Sequence, residues 1–309
     1  MIKLKSLIIL FALFSIKLFA QDDLLSELEA EESSRTSYTQ ATFKSTRLIN
    51  GHTNEILGPG VLDFRISHRF GPVNSGLGNF FGLDQGWIHI GFDYSLNHRL
   101  MIGVGRSSNQ KTVDGLIKYR LYKQTEEGGK KHHWFSLTLL ATADIITTPW
   151  QDTSRTNYFT SRLAYNYQAI FARKFNKNLS MQLVPTITHY NLVPLASDKN
   201  DIFSMGFGGR YKITTRLALT WEYYFVFPEQ IVSWQHTNNL SVGLDIETGG
   251  HVFQLFFTNS IGMIERHFIT QTNETWQGGG IHFGFNVSRV FTVSEKAKKR
   301  FDEKCTFAD

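Results

Sequence analysis

The sequence predicts an all-β fold, a transmembrane antiparallel β-barrel of about 12 strands and of the outer-membrane type. Three observations predict it: an export signal at the N-terminus, an alternation of apolar and polar residues over 60–291, and connections that alternate between short and long. The composition agrees, because the 309 residues are 41% hydrophobic, 14% aromatic and only 19% charged, which argues against a disordered chain.

Residues 1–20 are predicted to form a signal peptide. They begin with a short basic stretch that includes Lys3 and Lys5, continue with an apolar run over 7–14, and end in Ala20 before polar residues. This order is typical of secretory signal peptides, and the apolar run is far shorter than the ~20 residues of a membrane-spanning helix. We therefore expect export, with cleavage near Ala20.

Charge and cysteine content exclude several classes of protein. The net charge of +5 includes three lysines of the leader, so the mature chain is nearly neutral and we expect no nucleic-acid partner. One cysteine, Cys305, cannot form a disulfide framework or a cysteine-based zinc site. We predict no cofactor.

Residues 21–59 are predicted to lie in the periplasm, ahead of the barrel. Residues 21–40 are acidic and rich in Ser, which is typical of a solvated tail. Residues 41–59 mix polar and apolar side chains, and they either fold into the barrel as a plug or pack beneath its periplasmic rim. Residues 292–309, which follow the last predicted strand, are polar and form a periplasmic tail in this interpretation.

Period-two hydropathy predicts the strands, because successive side chains of a strand point to opposite faces. In the first run Leu62, Phe64 and Ile66 share one face, whereas Asp63 and Arg65 share the other. About twelve such runs follow one another, an even number as in bacterial single-chain barrels. The runs cover residues 62–70, 87–96, 100–105, 117–121, 135–144, 162–171, 179–188, 203–211, 216–225, 240–247, 251–257 and 281–288.

The connections alternate in length. Short turns follow Asn97, Lys174, Lys212 and Thr248. The longer loops cover 71–86, 146–158, 191–201, 228–239 and 259–279, while the 122–133 and 107–112 connections break the alternation. Short turns at one end and long loops at the other are typical of outer-membrane barrels, and an even strand number places both termini at the short-turn end.

The alternation also fits a soluble sandwich, so the character of the two faces decides the class. The polar face is rich in Gly, Ser and Thr with scattered charges, whereas the apolar face carries many aromatic residues such as Tyr94, Tyr167 and Trp221. Such rings are enriched at membrane interfaces. A lipocalin-like soluble barrel would need only about eight strands. We therefore expect the apolar face to contact outer-membrane lipid.

Several stretches carry a family resemblance: residues 43–52 (FKSTRLINGH), residues 58–70, Phe81–Asp84 (FGLD), Gly91–Tyr94 (GFDY) and Gly103–Gly105 (GVG). With these stretches the mature chain resembles an uncharacterised membrane-bound β-barrel family of the Bacteroidota. The resemblance implies an outer-membrane barrel and assigns no activity, substrate or catalytic residue. In many outer-membrane barrels the last aromatic residue of the final strand ends the chain. Here a polar tail follows that residue, Phe291.

Charged and histidine side chains of the polar face are the candidate functional residues. The predicted lumen-lining residues are Asp63, Arg65, Arg69, His89, Asp93, Lys118, Arg120, Asp144, Arg162, Arg210, Glu222 and Asp245. They could line a narrow pore or a binding cavity for a charged solute. They could equally pair across facing strands and fill the interior. Twelve strands lie between small filled barrels and wide porins, and we adopt a constricted lumen.

No catalytic or metal site is predicted. Ser67 and His68 are adjacent, so their side chains point to opposite faces of the strand and cannot form a dyad. His132 and His133 lie in a Lys-rich connection, which is typical of solvated charge. Other histidines that we assign to the polar face are expected to form hydrogen bonds in the lumen. These are His89, His251 and His282.

Two functional hypotheses follow, with a lipid-active enzyme as a distant third that we do not adopt. The first is a narrow channel or binding barrel for a small solute. The second is a closed barrel that anchors or docks a periplasmic protein through residues 21–59. An open lumen would favour the first hypothesis, and a filled lumen the second.

Overall fold

The computed structural model describes residues 37–126, 132–150, 152–154, 156–248 and 251–294. The predicted signal peptide, residues 21–36 of the acidic lead-in and residues 295–309 of the tail, including Cys305, lie outside the described residues. The chain divides into two compact units. The described part of the smaller unit is 37–40, 124–126 and 132–134, where the Thr39 N–H donates to the Gln124 carbonyl (2.9 Å).

The larger unit contains a closed barrel of twelve antiparallel strands, as predicted. Each strand pairs with its neighbours in sequence, and β1 pairs with β12 to close the sheet. The strands are β1 (Val61–Pro72), β2 (Gly86–Ser95), β3 (Leu100–Ser107), β4 (Thr112–Tyr122), β5 (Ser136–Ile146), β6 (Leu163–Lys174), β7 (Leu179–Tyr190), β8 (Asp201–Lys212), β9 (Leu217–Val226), β10 (Asn239–Thr248), β11 (His251–Thr258) and β12 (His282–Thr292). One short α-helix, α1 (Glu265–Thr270), lies in the described part of the β11–β12 loop.

The two faces of the sheet differ as the alternation predicts. Phe92, Val104 and Phe207 on the outer face are 43%, 62% and 48% exposed, whereas Asp63 and Lys118 on the inner face are buried. An apolar exterior around a polar interior is the reverse of a soluble sandwich. Closure pairs the main-chain groups of every strand, so the sheet has no free edge, as a bilayer requires.

The two ends of the barrel also differ. At the short-turn end, Asn176 Oδ1 accepts hydrogen bonds from the Asn178 and Leu179 N–H groups, both 2.8 Å long. At the long-loop end, Asp198 Oδ1 joins two loops, because it accepts from the Val232 and Ser233 N–H groups (2.7 and 2.9 Å). The long loops are therefore tied to one another.

No helix in the described ranges has the length and apolarity needed to cross a bilayer.

A charge on the outer face should destabilise the barrel. Phe207 lies in the middle of β8 between Leu183 and Tyr223 of the neighbouring strands. We expect Phe207→Arg to lower the free energy of unfolding by about 2–4 kcal/mol, because the guanidinium would enter hydrocarbon. Urea titration in lipid vesicles measures this, with Phe207→Leu as the control for loss of the ring. Equal stability of the two variants would contradict a lipid-facing position.

Candidate functional site in the barrel lumen

A hairpin formed by residues 43–57, here called the plug hairpin, lies inside the barrel. Arg47 and His52 form an antiparallel bridge, and the Leu48 N–H donates to the Gly51 carbonyl (2.8 Å), which closes the turn at the tip. A Cβ at Gly51 would overlap the Tyr224 hydroxyl on β9, so this position requires glycine. Of the two arrangements open from sequence, plug and rim, the structure has the plug.

The tip of the plug hairpin is held by a carboxylate on the barrel wall. Glu222 accepts hydrogen bonds from three consecutive main-chain N–H groups, those of Ile49 (3.3 Å), Asn50 (2.9 Å) and Gly51 (3.1 Å). The Asn286 amide on β12 donates to the Ile49 carbonyl (2.8 Å). Hydrogen bonds to a charged acceptor are stronger than neutral ones, so Glu222 is the main anchor of the tip.

Cationic side chains hold both limbs of the plug hairpin. Lys118 Nζ on β4 donates to the carbonyl oxygens of Glu55 (2.7 Å) and Thr46 (3.2 Å). Arg65 on β1 donates to the hydroxyls of Ser45 (2.8 Å) and Thr46 (3.0 Å). These wall charges therefore bind plug main chain and hydroxyls.

Arg69 completes the contact at the tip. Its guanidinium donates to Asn50 Oδ1 (2.6 Å) and lies 4.1 Å from the centre of the Phe256 ring. The ring provides a cation–π contact for a fully buried charge. On the second limb the half-buried Arg120 donates to the Asn54 carbonyl (3.4 Å).

The helix α1 enters the lumen from the long-loop end, and all six of its residues are buried. Arg266 donates to Asp144 Oδ1 on β5 (2.9 Å), which fixes the helix to the wall. Glu265 Oε1 lies 3.5 Å from Arg47 Nη1 and 3.6 Å from His52 Nε2 of the plug hairpin. The two inserted segments thus meet inside the barrel.

Burial dominates the electrostatics of this junction. Burial, with the cations Arg47, Lys118 and Arg65 around the ring, holds the pKa of the His52 imidazole well below its usual range. Burial raises the pKa of the Glu265 carboxyl, although Arg47 opposes the change. The inserted segments therefore meet through a neutral histidine and a carboxyl that binds its proton more tightly than usual.

Most of the predicted lumen residues lie buried on the inner face. These are Asp63, Arg65, Arg69, His89, Asp93, Lys118, Asp144, Arg210, Glu222 and Asp245. Arg120 is half-buried at the end of β4, 3.7 Å from Glu55. Within this set, Arg65, Arg69, Lys118, Arg120 and Glu222 contact the plug hairpin, while Asp144 contacts α1.

Arg162 requires a correction, because it does not line the lumen. It ends a 3₁₀ turn (Phe159–Arg162) that precedes β6, so strand alternation does not apply to it. Its guanidinium donates to the Ile146 carbonyl (2.8 Å) and lies 3.9 Å from the Trp150 ring centre. The residue ties a long loop to the end of β5.

The three histidines predicted to face the lumen lie in different environments. His89 Nε2 lies 2.9 Å from Asp114 Oδ1, and the His282 ring donates to the Phe70 carbonyl (2.8 Å), so both form hydrogen bonds. The placement of His251 on the polar face is wrong, because it shares the parity of Phe253 and stacks on that ring at 6.1 Å. No cluster of three or more metal-ligating side chains occurs in the described part of the chain.

Sequence reasoning missed α1 and the inward Asp114. The β11–β12 loop carries Ile261, Ile264, Phe268 and Ile269, an unusual density of apolar residues for an exposed loop, and this was the available signal. Phe268 and Ile269 are buried in the lumen. Burial of a loop segment inside the barrel would have explained this density.

The closed sheet, the apolar exterior and the polar lumen define an integral β-barrel of the outer membrane, whose outer face contacts lipid. The chain belongs to the family described as "Membrane bound beta barrel domain (DUF5777)", which matches residues 43–291. The match begins at Phe43, so it includes the plug hairpin as well as the strands.

Solved outer-membrane barrels are similar to this chain. The NanC porin has 9% sequence identity and a TM-score of 0.46, over 74% of this chain and 98% of the porin. The COG4313 outer membrane channel from Pseudomonas putida F1 has 13% identity and a TM-score of 0.44, over 77% and 97%. Omp33 of Acinetobacter baumannii has 7% identity and a TM-score of 0.39, over 74% and 97%. No curated protein matches the chain.

Proposed function

We propose that the protein is a narrow outer-membrane channel for a small solute, closed at rest by the plug hairpin. One observation supports it above all: the wall binds the plug hairpin through polar contacts. Glu222, Lys118 and Arg65 contact main chain and hydroxyls of the hairpin. If the hairpin moves, water can replace each of these hydrogen bonds. The lumen wall that the hairpin uncovers is polar and can be hydrated.

The plug hairpin also buries apolar side chains, since Phe43, Leu48 and Ile49 are each at most 2% exposed. Phe43 and Leu48 pack together with Ala172, and Ile56 and Leu57 pack on a second small cluster. Each fully buried apolar side chain contributes about 1.5–3 kcal/mol, so Phe43, Leu48 and Ile49 oppose release of the hairpin by about 5–9 kcal/mol. Replacing a hydrogen bond within the protein by one to water costs a net free energy of only about 0.5–1.5 kcal/mol. Apolar burial and hydrogen bonds therefore both hold the hairpin in its seat, and opening has to overcome both.

The filled lumen by itself favours the second candidate, a closed barrel that anchors or docks a periplasmic protein, and the channel is proposed because polar contacts that water can replace hold the filling. In the second case the plug hairpin would be a fixed filling, and the acidic lead-in ahead of it would bind the partner. The two candidates differ in one measurable property, namely whether weakening of the hairpin contacts opens a path for ions. The channel proposal assigns no catalytic residue.

We expect Glu222→Ala to raise the open fraction of single channels in planar bilayers by at least about tenfold. Three main-chain N–H groups lose their charged acceptor, and a loss of only 1.4 kcal/mol gives this factor. Heat-modifiable migration on a gel verifies that the variant barrel is folded.

The chain offers a matched control in Asp198→Ala. Asp198 also accepts from three main-chain N–H groups, those of Leu195, Val232 and Ser233, but it lies in the loops. This variant should conduct like the wild type. Folded Glu222→Ala protein that is electrically silent at all voltages would reject the channel and favour the anchor.

A further inference from the structure

Charged side chains are distributed unevenly around the lumen wall. β6 and β7, whose residues are all described, present no buried charged side chain to the lumen, and β8 presents only Arg210. Arg210 is paired with Asp245 (3.5 Å) and Glu247 (2.5 Å) of β10. The inner faces of β6–β8 instead carry amides and hydroxyls, interspersed with buried apolar residues such as Ile170, Val184 and Ile202. We call this surface the neutral arc: Asn166, Gln168, Gln182, Thr186, Thr188 and Ser204.

Strand register places part of the neutral arc at one level of the barrel. Gln168 is opposite Thr186 on the neighbouring strand, and Thr186 is opposite Ser204 on the next. Adjacent strands lie about 4.8 Å apart, so the three groups span about 10 Å along the wall. Asn166 and Thr188 form the next row toward the long loops and share a hydrogen bond of 2.7 Å. The arc therefore offers several hydrogen-bonding groups side by side.

Several of these groups are buried and have no hydrogen-bond partner within the described protein. Both amide atoms of Gln168, Oδ1 of Asn166, Oε1 of Gln182 and Oγ of Ser204 are in this state. Gln168 is 3% exposed and Asn166 1%. Buried polar groups in native proteins are normally bonded, because an unmade bond costs free energy. Orphaned amides and hydroxyls on one wall of a channel are therefore suited to a hydrogen-bonding solute.

The charged part of the wall is used differently. Glu222, Arg65, Arg69 and Lys118 are engaged by the plug hairpin. Of the neutral arc, Gln182 also donates to the hairpin, at the His52 carbonyl (2.8 Å). The rest of the arc makes no hydrogen bond to the hairpin among the described residues, and Gln168 and Ser204 keep unpartnered polar atoms. A charged solute would find no counter-ion on the neutral arc.

We propose that the neutral arc is the solute-binding surface of the channel and that its solutes are small, uncharged and rich in hydroxyl groups, such as sugars or polyols. Amides and hydroxyls both donate and accept, which is what a polyol requires. A site built to hydrogen-bond a hydroxyl discriminates strongly against solutes that cannot complete its bonds. This inference rests on the proposed channel function.

The test compares uptake of radiolabelled glucitol and of gluconate, a charged molecule of similar size, into proteoliposomes. Full-length Glu222→Ala protein serves as the background with a loosened plug hairpin. We expect glucitol to enter at least about fivefold faster than gluconate. Adding Gln168→Leu should cut the glucitol rate about tenfold and leave gluconate unchanged, because the orphaned amide disappears.

Gln254→Leu in the same background is the matched control. The Gln254 amide donates to the Leu48 carbonyl, so this variant should speed both solutes and leave their ratio unchanged. Ser204→Ala, a milder change in the neutral arc, should lower the glucitol rate about threefold and provides the same test if Gln168→Leu does not fold.

The outcomes separate the two proposals. Equal rates for glucitol and gluconate, or a ratio that neither arc variant changes, would overturn the neutral arc as the binding surface and leave the channel standing. Uptake of neither solute through any folded variant would overturn the channel itself, and the arc with it.

Discussion

Removal of the plug hairpin, with Thr42 joined to Gly58 by a short Gly-Ser linker, is expected to turn a mostly closed barrel into a steadily conducting pore. At least six wall contacts hold the hairpin. At the lower limit of about 0.5 kcal/mol each, they favour the closed state by about 3 kcal/mol. Burial of Phe43, Leu48 and Ile49 adds to this preference, so the pore is open at most about 1% of the time and removal should raise the open fraction at least about a hundredfold.

Planar-bilayer recordings at matched protein density measure this change. The control carries the same linker inserted between Ala41 and Thr42, which keeps residues 43–57 intact, and it should behave like the wild type. If the barrel that lacks the plug hairpin is folded and still carries no current, the strands and α1 alone close the lumen. The anchor hypothesis would then be preferred, and co-purification of a periplasmic protein through residues 21–42 would test it.

The open fraction should also rise as the pH falls below about 6.5, the ordinary pKa of histidine. In the closed state His52 is buried among Arg47, Arg65 and Lys118, and its pKa is held well below the usual range. Burial and Arg266 lower the pKa of His267 in α1 to about 3. His52 is neutral when closed and solvated once the hairpin leaves, so it takes up a proton on opening and acid favours the open state. His267 would add to the effect only if α1 moved as well.

The size of the effect follows from proton linkage. Each histidine that gains a proton raises the open fraction by up to about tenfold per pH unit below 6.5. His52→Asn should therefore remove up to about one power of ten from the total rise in open fraction between pH 7 and 5.5. Glu265 acts in the opposite direction, because its raised pKa favours protonation in the closed state. The comparison isolates His52, since both proteins retain Glu265.

Exposed His98 provides the control for this measurement. His98→Asn should leave the pH profile unchanged. Two results would contradict proton-linked opening at the junction between the plug hairpin and α1. One is a wild-type open fraction that does not change between pH 7 and 5.5, and the other is a pH dependence that His52→Asn does not alter.

The strands could be predicted from sequence because alternation is a local property. Each residue of β1 shows its face through its own polarity and that of its neighbours, and closure into a barrel follows from the strand number and the apolar exterior. The prediction failed where the polarity of a residue does not match the face of the sheet on which it lies. On β4 the inward Leu116 and the outward Gly115 reverse the expected pattern, so the predicted run began at 117 and missed the inward Asp114.

The lumen contacts could not be predicted, because they join segments far apart in sequence. The contact of Glu265 with Arg47 depends on two segments entering the barrel from opposite ends to a matching depth. Hydropathy indicated that residues 41–59 were not a free linker, but it carries no information on insertion depth. The Arg162 error has the same origin, since a 3₁₀ turn replaced the strand at a position where polarity alone could not show it.

The short connection between the plug hairpin and β1 limits how far an opened gate can travel. Only Gly58, Pro59 and Gly60 separate the two, and Gly60 is fastened at the seam by hydrogen bonds to Ser95 and Val293. Three residues reach about 10 Å when extended. A displaced hairpin would therefore stay tethered at the barrel mouth at a millimolar effective concentration. Reclosure would be intramolecular, so brief current bursts should have durations independent of how many copies the membrane holds.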